Sequence, residues 1–339
     1  MTIEALSYTP DIAAATAHIR PKLGAQYSDA TWEGLAPYIE AINRLKRERD
    51  AVILAHNYMT PDIYYGVADI VGDSLKLAQE AAKVDAAVIV QAGVYFMAET
   101  SKILCPDKTV LMPDLDAGCS LSDSITAADV RLLKAQFPDV PVVTYVNTSA
   151  AVKAESDVCC TSGNAVKIIK ALAAQGHKTV LMIPDEYLAQ NVAAQVPEVK
   201  VLTWKGHCEV HERFTAQDVS DIRSRYKGDV YVIAHPECHP DVIAASDYSG
   251  STAQLQNLIE TKQPNRVLLI TECSMGDNLQ AANPKVDFVR SCFLCPHMKR
   301  ISLPKILKSL QTMTTSVVLL EDVMNRARGA VNRMLELSK

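Results

Sequence analysis

Short apolar runs alternate with longer stretches whose apolar residues fall three and four apart. The runs at 51–55, 87–91 and 109–113 are bounded by turn residues and too short for helices, so they read as buried strands. Between them, Gly72, Asp73 and Ser74 open a helix over 75–82, with Asp73 or Ser74 as its cap, and a second helix lies near 96–104. The same order recurs: a strand ending at 142–147, a helix opened by 161–164, a strand at 179–185, a helix at 186–192 and a strand at 199–204. A third pass has a strand ending at 230–237, a helix opened by 249–252, and strands at 266–271 and 286–289. Residues 1–46 read as a helical lead-in, where Ile39, Ile42 and Leu45 keep helical spacing, and 303–339 as a helical tail.

Three landmarks recur in step. Polar strand ends fall at His56, Tyr145 and His235, at intervals of 89 and 90 residues. Helix-opening hydroxyls fall at Ser74, Ser162 and Ser251 with Thr252, at intervals of 88 and 89. Cysteines just past an apolar run fall at Cys119, Cys208 and Cys295, at intervals of 89 and 87. A repeat this long is a triplicated domain rather than a solenoid. Strand–helix alternation predicts an α/β protein: three homologous α/β/α three-layer units with short parallel sheets around a pseudo-threefold axis. The predicted units are 1–138, 139–226 and 227–301, with 302–339 packing back on the first. Ligands of open parallel sheets gather beyond the carboxyl ends of the strands, so all nine landmarks are expected to face one central cavity.

Charge narrows the partners. A net charge of −5 over 339 residues, with no Lys/Arg block, argues against nucleic acid. No apolar run reaches the roughly 18 residues a membrane span needs. The start, Met1-Thr-Ile-Glu-Ala-Leu6, lacks the basic then apolar order of a signal peptide, and a cytoplasmic location is expected. Nine cysteines, an odd number, do not make a disulfide framework. Cys105, Cys159, Cys160, Cys238 and Cys273 sit in or beside apolar runs, where a free thiol acts as a small hydrophobe.

The landmarks carry three chemistries. Three cysteines from separate loops, with no fourth at the matching interval, suit an iron-sulfur cluster with one iron left open as a Lewis acid. Zinc held by the three cysteines and a histidine such as His211, or three unrelated buried thiols, are the alternatives, and the long spacers weigh against a structural zinc site. Cys292 stands three residues before Cys295, as a redox partner or a bystander. The hydroxyls at the helix openings, converging with backbone N–H groups, would hold a small polyanion. His56, Tyr145 and His235 with Glu237 can move protons or polarise a carbonyl. His211 is a further candidate, whereas His18, His177 and His297 have no repeat partner.

Ordered motifs run through most of the chain. They include Ala55-His-Asn-Tyr58, Gly72-Asp-Ser-Leu75, Phe96-Met-Ala-Glu-Thr100, Ala117-Gly-Cys-Ser-Leu121, Tyr145-Val-Asn-Thr-Ser149 and Cys160-Thr-Ser-Gly-Asn164. Further on come Gly206-His-Cys-Glu-Val-His211, His235-Pro-Glu-Cys238, Gly250-Ser-Thr252 and Cys295-Pro-His-Met-Lys299. In these the chain resembles quinolinate synthase, the iron-sulfur enzyme family of de novo NAD biosynthesis. The resemblance implies a transferase that condenses iminoaspartate, supplied by L-aspartate oxidase, with dihydroxyacetone phosphate to give quinolinate, phosphate and water. It implies a [4Fe-4S] cluster on Cys119, Cys208 and Cys295, and substrate contacts from His56, Ser74, Tyr145, Asn147, Ser162, His235, Glu237 and Thr252. Catalytic roles would fall to Tyr145, Glu237, His235 and His56. Similar members often carry a longer Cys-x-x-Cys-x-x-Cys run, whose first position here is Val289. Two other readings are a three-cysteine [4Fe-4S] reductase of isoprenoid synthesis, which needs external electrons, and a non-catalytic cluster-based metabolite sensor. The sensor reading leaves His56, Tyr145 and Glu237 unexplained.

Overall fold

A computed structural model describes residues 6–24, 27–291 and 293–338; the Cys292 pairing considered above falls outside the described residues. The apolar runs form three four-stranded sheets. The first consists of β1 (Ala51–His56), β2 (Ile70–Gly72), β3 (Val88–Ala92) and β4 (Thr109–Leu111). The second has β5 (Val142–Tyr145), β6 (Val158–Cys160), β7 (Thr179–Ile183) and β8 (Lys200–Thr203). The third has β9 (Tyr231–Ala234), β10 (Tyr248–Ser249), β11 (Arg266–Ile270) and β12 (Asp287–Val289). The orders are β2-β1-β3-β4, β6-β5-β7-β8 and β10-β9-β11-β12, the same path each time, and every pairing is parallel.

The sequence pattern predicts three strands per unit, and the structure has four. The extra ones, β2, β6 and β10, are edge strands of only two or three residues, too short to register as an apolar run. Their placement depends on a device repeated in each sheet. Asp69, Asp157 and Asp247 each precede the edge strand and accept from a central-strand N–H, of Ile53, Val142 and Val232, at 2.7–2.8 Å. Each carboxylate also pairs with a cation, Lys46, Lys134 or Arg223, at 2.7, 3.1 and 3.0 Å. The three braced N–H groups stand three residues before His56, Tyr145 and His235.

Helices cover the sheets. In the first, the helix Asp29–Glu48 and the tail helix Leu303–Thr312 pack together against β1 and β3, and Ser74–Ala81 with Tyr95–Leu104 cover the other side. The tail reaches further than its pattern predicts. The last helix, Glu321–Leu337, buries Ala327, Ala330, Val331 and Met334, spaced as one helical face, against β6 and the helices Ala150–Glu155 and Ala165–Ala174 of the second sheet as well as Tyr95–Leu104. Cys105, Cys159, Cys160 and Cys238 are buried free thiols. Cys273, by contrast, is disulfide-bonded, which apolar neighbours in the sequence do not report.

The loop after each first strand is clamped by one side chain that donates to two backbone carbonyls. Asn278 Nδ2 donates to Asn57 O and Met59 O at 3.2 and 2.9 Å. Asn191 Nδ2 donates to Pro236 O and Cys238 O, both at 2.9 Å. At the second sheet the donor is Lys153, fully buried, on Val146 O and Thr148 O. The carbonyls are those one and three residues after His56, Tyr145 and His235. Asn278 comes from the third sheet's helix and clamps the first sheet's loop; Asn191 comes from the second sheet's helix and clamps the third's. Among the described residues no helix is long and apolar enough to cross a membrane.

Replacing Asn278 by Ala strands two buried carbonyls and is expected to cost about 1–3 kcal/mol. Urea unfolding checks it; an unchanged midpoint would mean that the His56 loop is held by something else.

Candidate active site

His56 and Tyr145 are the last residues of β1 and β5, and His235 directly follows β9, so all three stand at the carboxyl ends of parallel strands. They line one cavity together with Asn147 and Glu237. Ser74, Ser162 and Thr252 line the same cavity, as do Cys119, Cys208 and Cys295. These positions therefore meet at one place, with contributions from all three sheets, whereas Ser251, also named from the sequence, is not among the lining residues.

The helix openings differ in detail from the sequence pattern. Asp73 caps the first helix and accepts from Lys76 N–H, which leaves Ser74 as its first residue. Ser251 caps the third through a capping box with Gln254, and Thr252 is the first residue there. Ser162 does not open a helix. The helix begins at Ala165 with Asn164 as cap, and the Ser162 hydroxyl lies 3.2 Å from His235 Nε2. The cause is Asn164, whose Oδ1 accepts from Thr161 N–H at 2.6 Å and turns 161–164 into a closed loop ahead of the helix.

Glu237 is the electrostatic centre. Its Oε1 accepts from Tyr145 OH at 2.5 Å, and its Oε2 lies 2.7 Å from His211 Nδ1 and 3.9 Å from His235 Nδ1. Burial opposes its charge, but the imidazoles of His235 and His211 and the bonds from His211 and Tyr145 outweigh burial and hold it well below the usual carboxylate range. His56 and His235 go the other way: burial lowers them to about 4 and about 3 despite the Glu237 charge, so both are neutral at pH 7. Burial, then the nearby carboxylate, raises Tyr145 and Tyr58, which stay protonated donors.

Sequence reasoning missed several residues lining the cavity. Tyr58, Asn147 and Glu237 stand two residues after the three strand-end landmarks, so the interval that reaches Asn147 and Glu237 also reaches Tyr58. Tyr58 OH lies 2.6 Å from Thr271 Oγ1. Glu272 and His297 also line the cavity. No periodic signal marks them, because they act between loops.

Those loop contacts hold the cysteines. Ser120, next to Cys119, donates to His207 O and accepts from Glu209 N–H, both at 3.1 Å, and so brackets Cys208. Glu209 in turn meets His297 Nε2 at 2.8 Å, two residues past Cys295. Buried Glu272 accepts from Cys295 N–H at 3.2 Å and pairs with Lys299 at 3.0 Å, which also donates to Tyr58 O at 2.7 Å. Burial pushes Cys119 up to about 12 and Cys295 to about 11, and raises Cys208 as well. A thiolate at Cys295 would raise Cys119 further, and one at Cys119 would raise Cys208. Three thiols that line one cavity and are held protonated by burial become thiolates with a cationic centre among them, so the donor set fits a metal or metal-sulfur group.

Fold and site define a class: a parallel α/β enzyme for a small molecule, with one cavity lined by buried titratable side chains and by three cysteines. The family model described as "Quinolinate synthetase A protein" matches residues 40–336. The chain is 60% identical over 334 residues to a quinolinate synthase of Sinorhizobium fredii, covering 98% of this chain and 92% of that one. It is 55% identical over 331 residues to one of Caulobacter vibrioides, covering 97% and 90%, and 59% identical over 299 residues to one of Xylella fastidiosa, covering 88% and 87%. The chain belongs to the quinolinate synthase family, transferases of NAD biosynthesis. The isoprenoid-reductase and sensor readings are not favoured.

Neutral burial of His56 has a consequence for acid stability. The unfolded chain binds that proton near 6.5 and the folded chain only near about 4, so unfolding takes up a proton between these values and stability falls as pH falls. His56→Gln is expected to reduce the slope of unfolding free energy against pH in that window by up to about 1.4 kcal/mol per pH unit. Urea titrations at several pH values measure it, and an unaltered slope would contradict neutral burial.

Proposed function

We propose that the chain condenses iminoaspartate with dihydroxyacetone phosphate to give quinolinate, phosphate and water, with a [4Fe-4S] cluster on Cys119, Cys208 and Cys295. The observation that carries this reading is the single cavity lined by strand-end, helix-opening and cysteine residues from all three sheets. We take 1–138, 139–226 and 227–301 as three units about a pseudo-threefold axis, with this cavity at the centre. The identical strand order, the Asp brace and the carbonyl clamp support that arrangement. L-Aspartate oxidase would supply the imine in the cytoplasm.

When bound, a cluster with three thiolate ligands supplies an open iron that acts as a Lewis acid toward a departing hydroxyl. The chain's own groups do the rest. Thr252 Oγ1 accepts from Asn57 Nδ2 at 2.9 Å, so its hydrogen is free for an anionic oxygen. Ser74, at the first position of its helix, presents a hydroxyl beside unpaired backbone N–H groups. With Ser162, these hold the carboxylates of the imine and the phosphate of the triose. Asn147 Oδ1 is buried with no protein partner among the described residues, so it can accept from a substrate donor. Glu237, ionised between Tyr145 and His211, is placed to take a proton as carbon–carbon bond formation and isomerisation proceed. Neutral His235 and His56 accept protons or polarise a carbonyl, and Tyr145 returns a proton from its hydroxyl.

An anaerobic assay for quinolinate from the two substrates, run with iron and sulfide analysis, tests the reading. Cys208→Ala is expected to lose the cluster and reduce quinolinate formation to background; full turnover without iron would end the proposal. Glu237→Gln is expected to keep iron and sulfide while kcat/KM falls about 10²–10⁴-fold. An unchanged rate would remove Glu237 from the proton transfers.

A further inference from the structure

We infer that the cluster-free protein has a second use for part of this site: Cys208, His211 and Glu237 form a binding site for one zinc-like divalent cation. One donor atom from each of the three lies within 4.8 Å of the others. His211 Nδ1 is 2.7 Å from Glu237 Oε2 and 3.2 Å from Cys208 Sγ. The tight turn after β8, in which Glu212 N–H donates to Cys208 O at 3.0 Å, brings the thiol and the imidazole together across three residues. Glu237 arrives from the loop after β9.

The surrounding bonds orient the donors. His211 Nε2 lies 2.9 Å from Thr271 Oγ1, and Glu237 Oε1 is taken by Tyr145 OH. Both outer contacts leave the inner atoms, Nδ1 and Oε2, turned toward the thiol, as outer-shell bonds do around metal ligands. One sulfur, one nitrogen and one oxygen donor with a fourth position open to water is a ligand set suited to zinc. Charge agrees. A thiolate and a carboxylate neutralise a divalent ion, so the occupied centre can remain in a dry interior. Binding displaces a proton from two donor atoms: the Cys208 thiol proton leaves to solvent, and the proton that His211 Nδ1 donates to Glu237 Oε2 is lost from Nδ1 while solvent returns one to Nε2, facing Thr271, so one proton is released in all and nothing is oxidised or reduced.

The inference rests on the proposed function at one point: Cys208 is also a cluster ligand there. Zinc and cluster then exclude each other, and zinc additionally occupies Glu237 and His211. Apo protein exposed to zinc is thereby held in an inactive form that cannot load its cluster until the ion is removed.

Cobalt(II) is the probe. Full-length protein carrying Cys119→Ala and Cys295→Ala, prepared without cluster under anaerobic conditions, is expected to bind one equivalent with visible ligand-field bands and a near-ultraviolet thiolate charge-transfer band. Zinc should displace both. Adding Cys208→Ser should abolish the charge-transfer band, and adding His211→Ala or Glu237→Gln should weaken binding further than adding Thr271→Val, which is expected to weaken it about 10–100-fold. Circular dichroism confirms that each variant is folded. A folded double variant that binds no cobalt, while wild-type apo protein does, assigns the ion to the three thiols and overturns the inference; so does binding indifferent to both His211→Ala and Glu237→Gln. For exclusion, wild-type apo protein preloaded with one equivalent of zinc should assemble no cluster from iron and sulfide until chelator is added. Assembly with zinc retained overturns that part. Zinc-free wild type that takes up no iron or sulfide would sink the cluster reading instead, and the cobalt titration would still decide this one.

Discussion

A loop that delivers a buried functional side chain must bury its own backbone too, and each buried carbonyl then needs a donor. Three loops here face that constraint at once, and in each one side chain satisfies two carbonyls, those one and three residues past the strand end. Two of the donors, Asn278 and Asn191, come from a neighbouring sheet's helix. At the remaining loop Lys153 works from within its own unit, while Glu99 from the first sheet's helix accepts from Ala150 N–H at 2.9 Å. Satisfying the backbone therefore also ties the units together, and the cavity between them cannot be taken apart without stranding polar groups.

Within the cavity, the same dryness sorts the charges. Burial alone would neutralise every ionisable group, and it does so for His56, His235 and the thiols. Glu237 escapes because Tyr145 and His211 converge on its two oxygens. The outcome is a carboxylate held charged beside two neutral imidazoles, His56 and His235, and two protonated phenols, Tyr145 and Tyr58.

The thiols have a different kind of support. Their loops are tied to one another by Ser120 and by Glu209 with His297, while Glu272, just past β11, holds the Cys295 loop and Lys299 to their own unit. His211 meets Cys208 on one side and Glu237 on the other, so a thiol of one loop and a carboxylate of another are joined through a single imidazole.

The repeat was legible in the sequence because it is written in local terms. Strand ends, helix openings and cysteines keep nearly constant intervals, and apolar runs mark the longer strands, so the α/β class and most of the candidate residues could be read by counting, while the ordered motifs carried the family resemblance. Tyr58 was within reach of the same count. The two- and three-residue edge strands were not, since an Asp and a distant N–H place them rather than their own composition. Nor was the displacement of Ser162 from its helix, or the second contact face of the last helix. Local spacing names which residues carry chemistry; it does not say which atom of one loop meets which atom of another. The 2.7 Å between His211 and Glu237, the clamps of Asn191 and Asn278, and the stitching of the cysteine loops join residues 23 to 221 positions apart. Only the packing of three sheets against one another decides them.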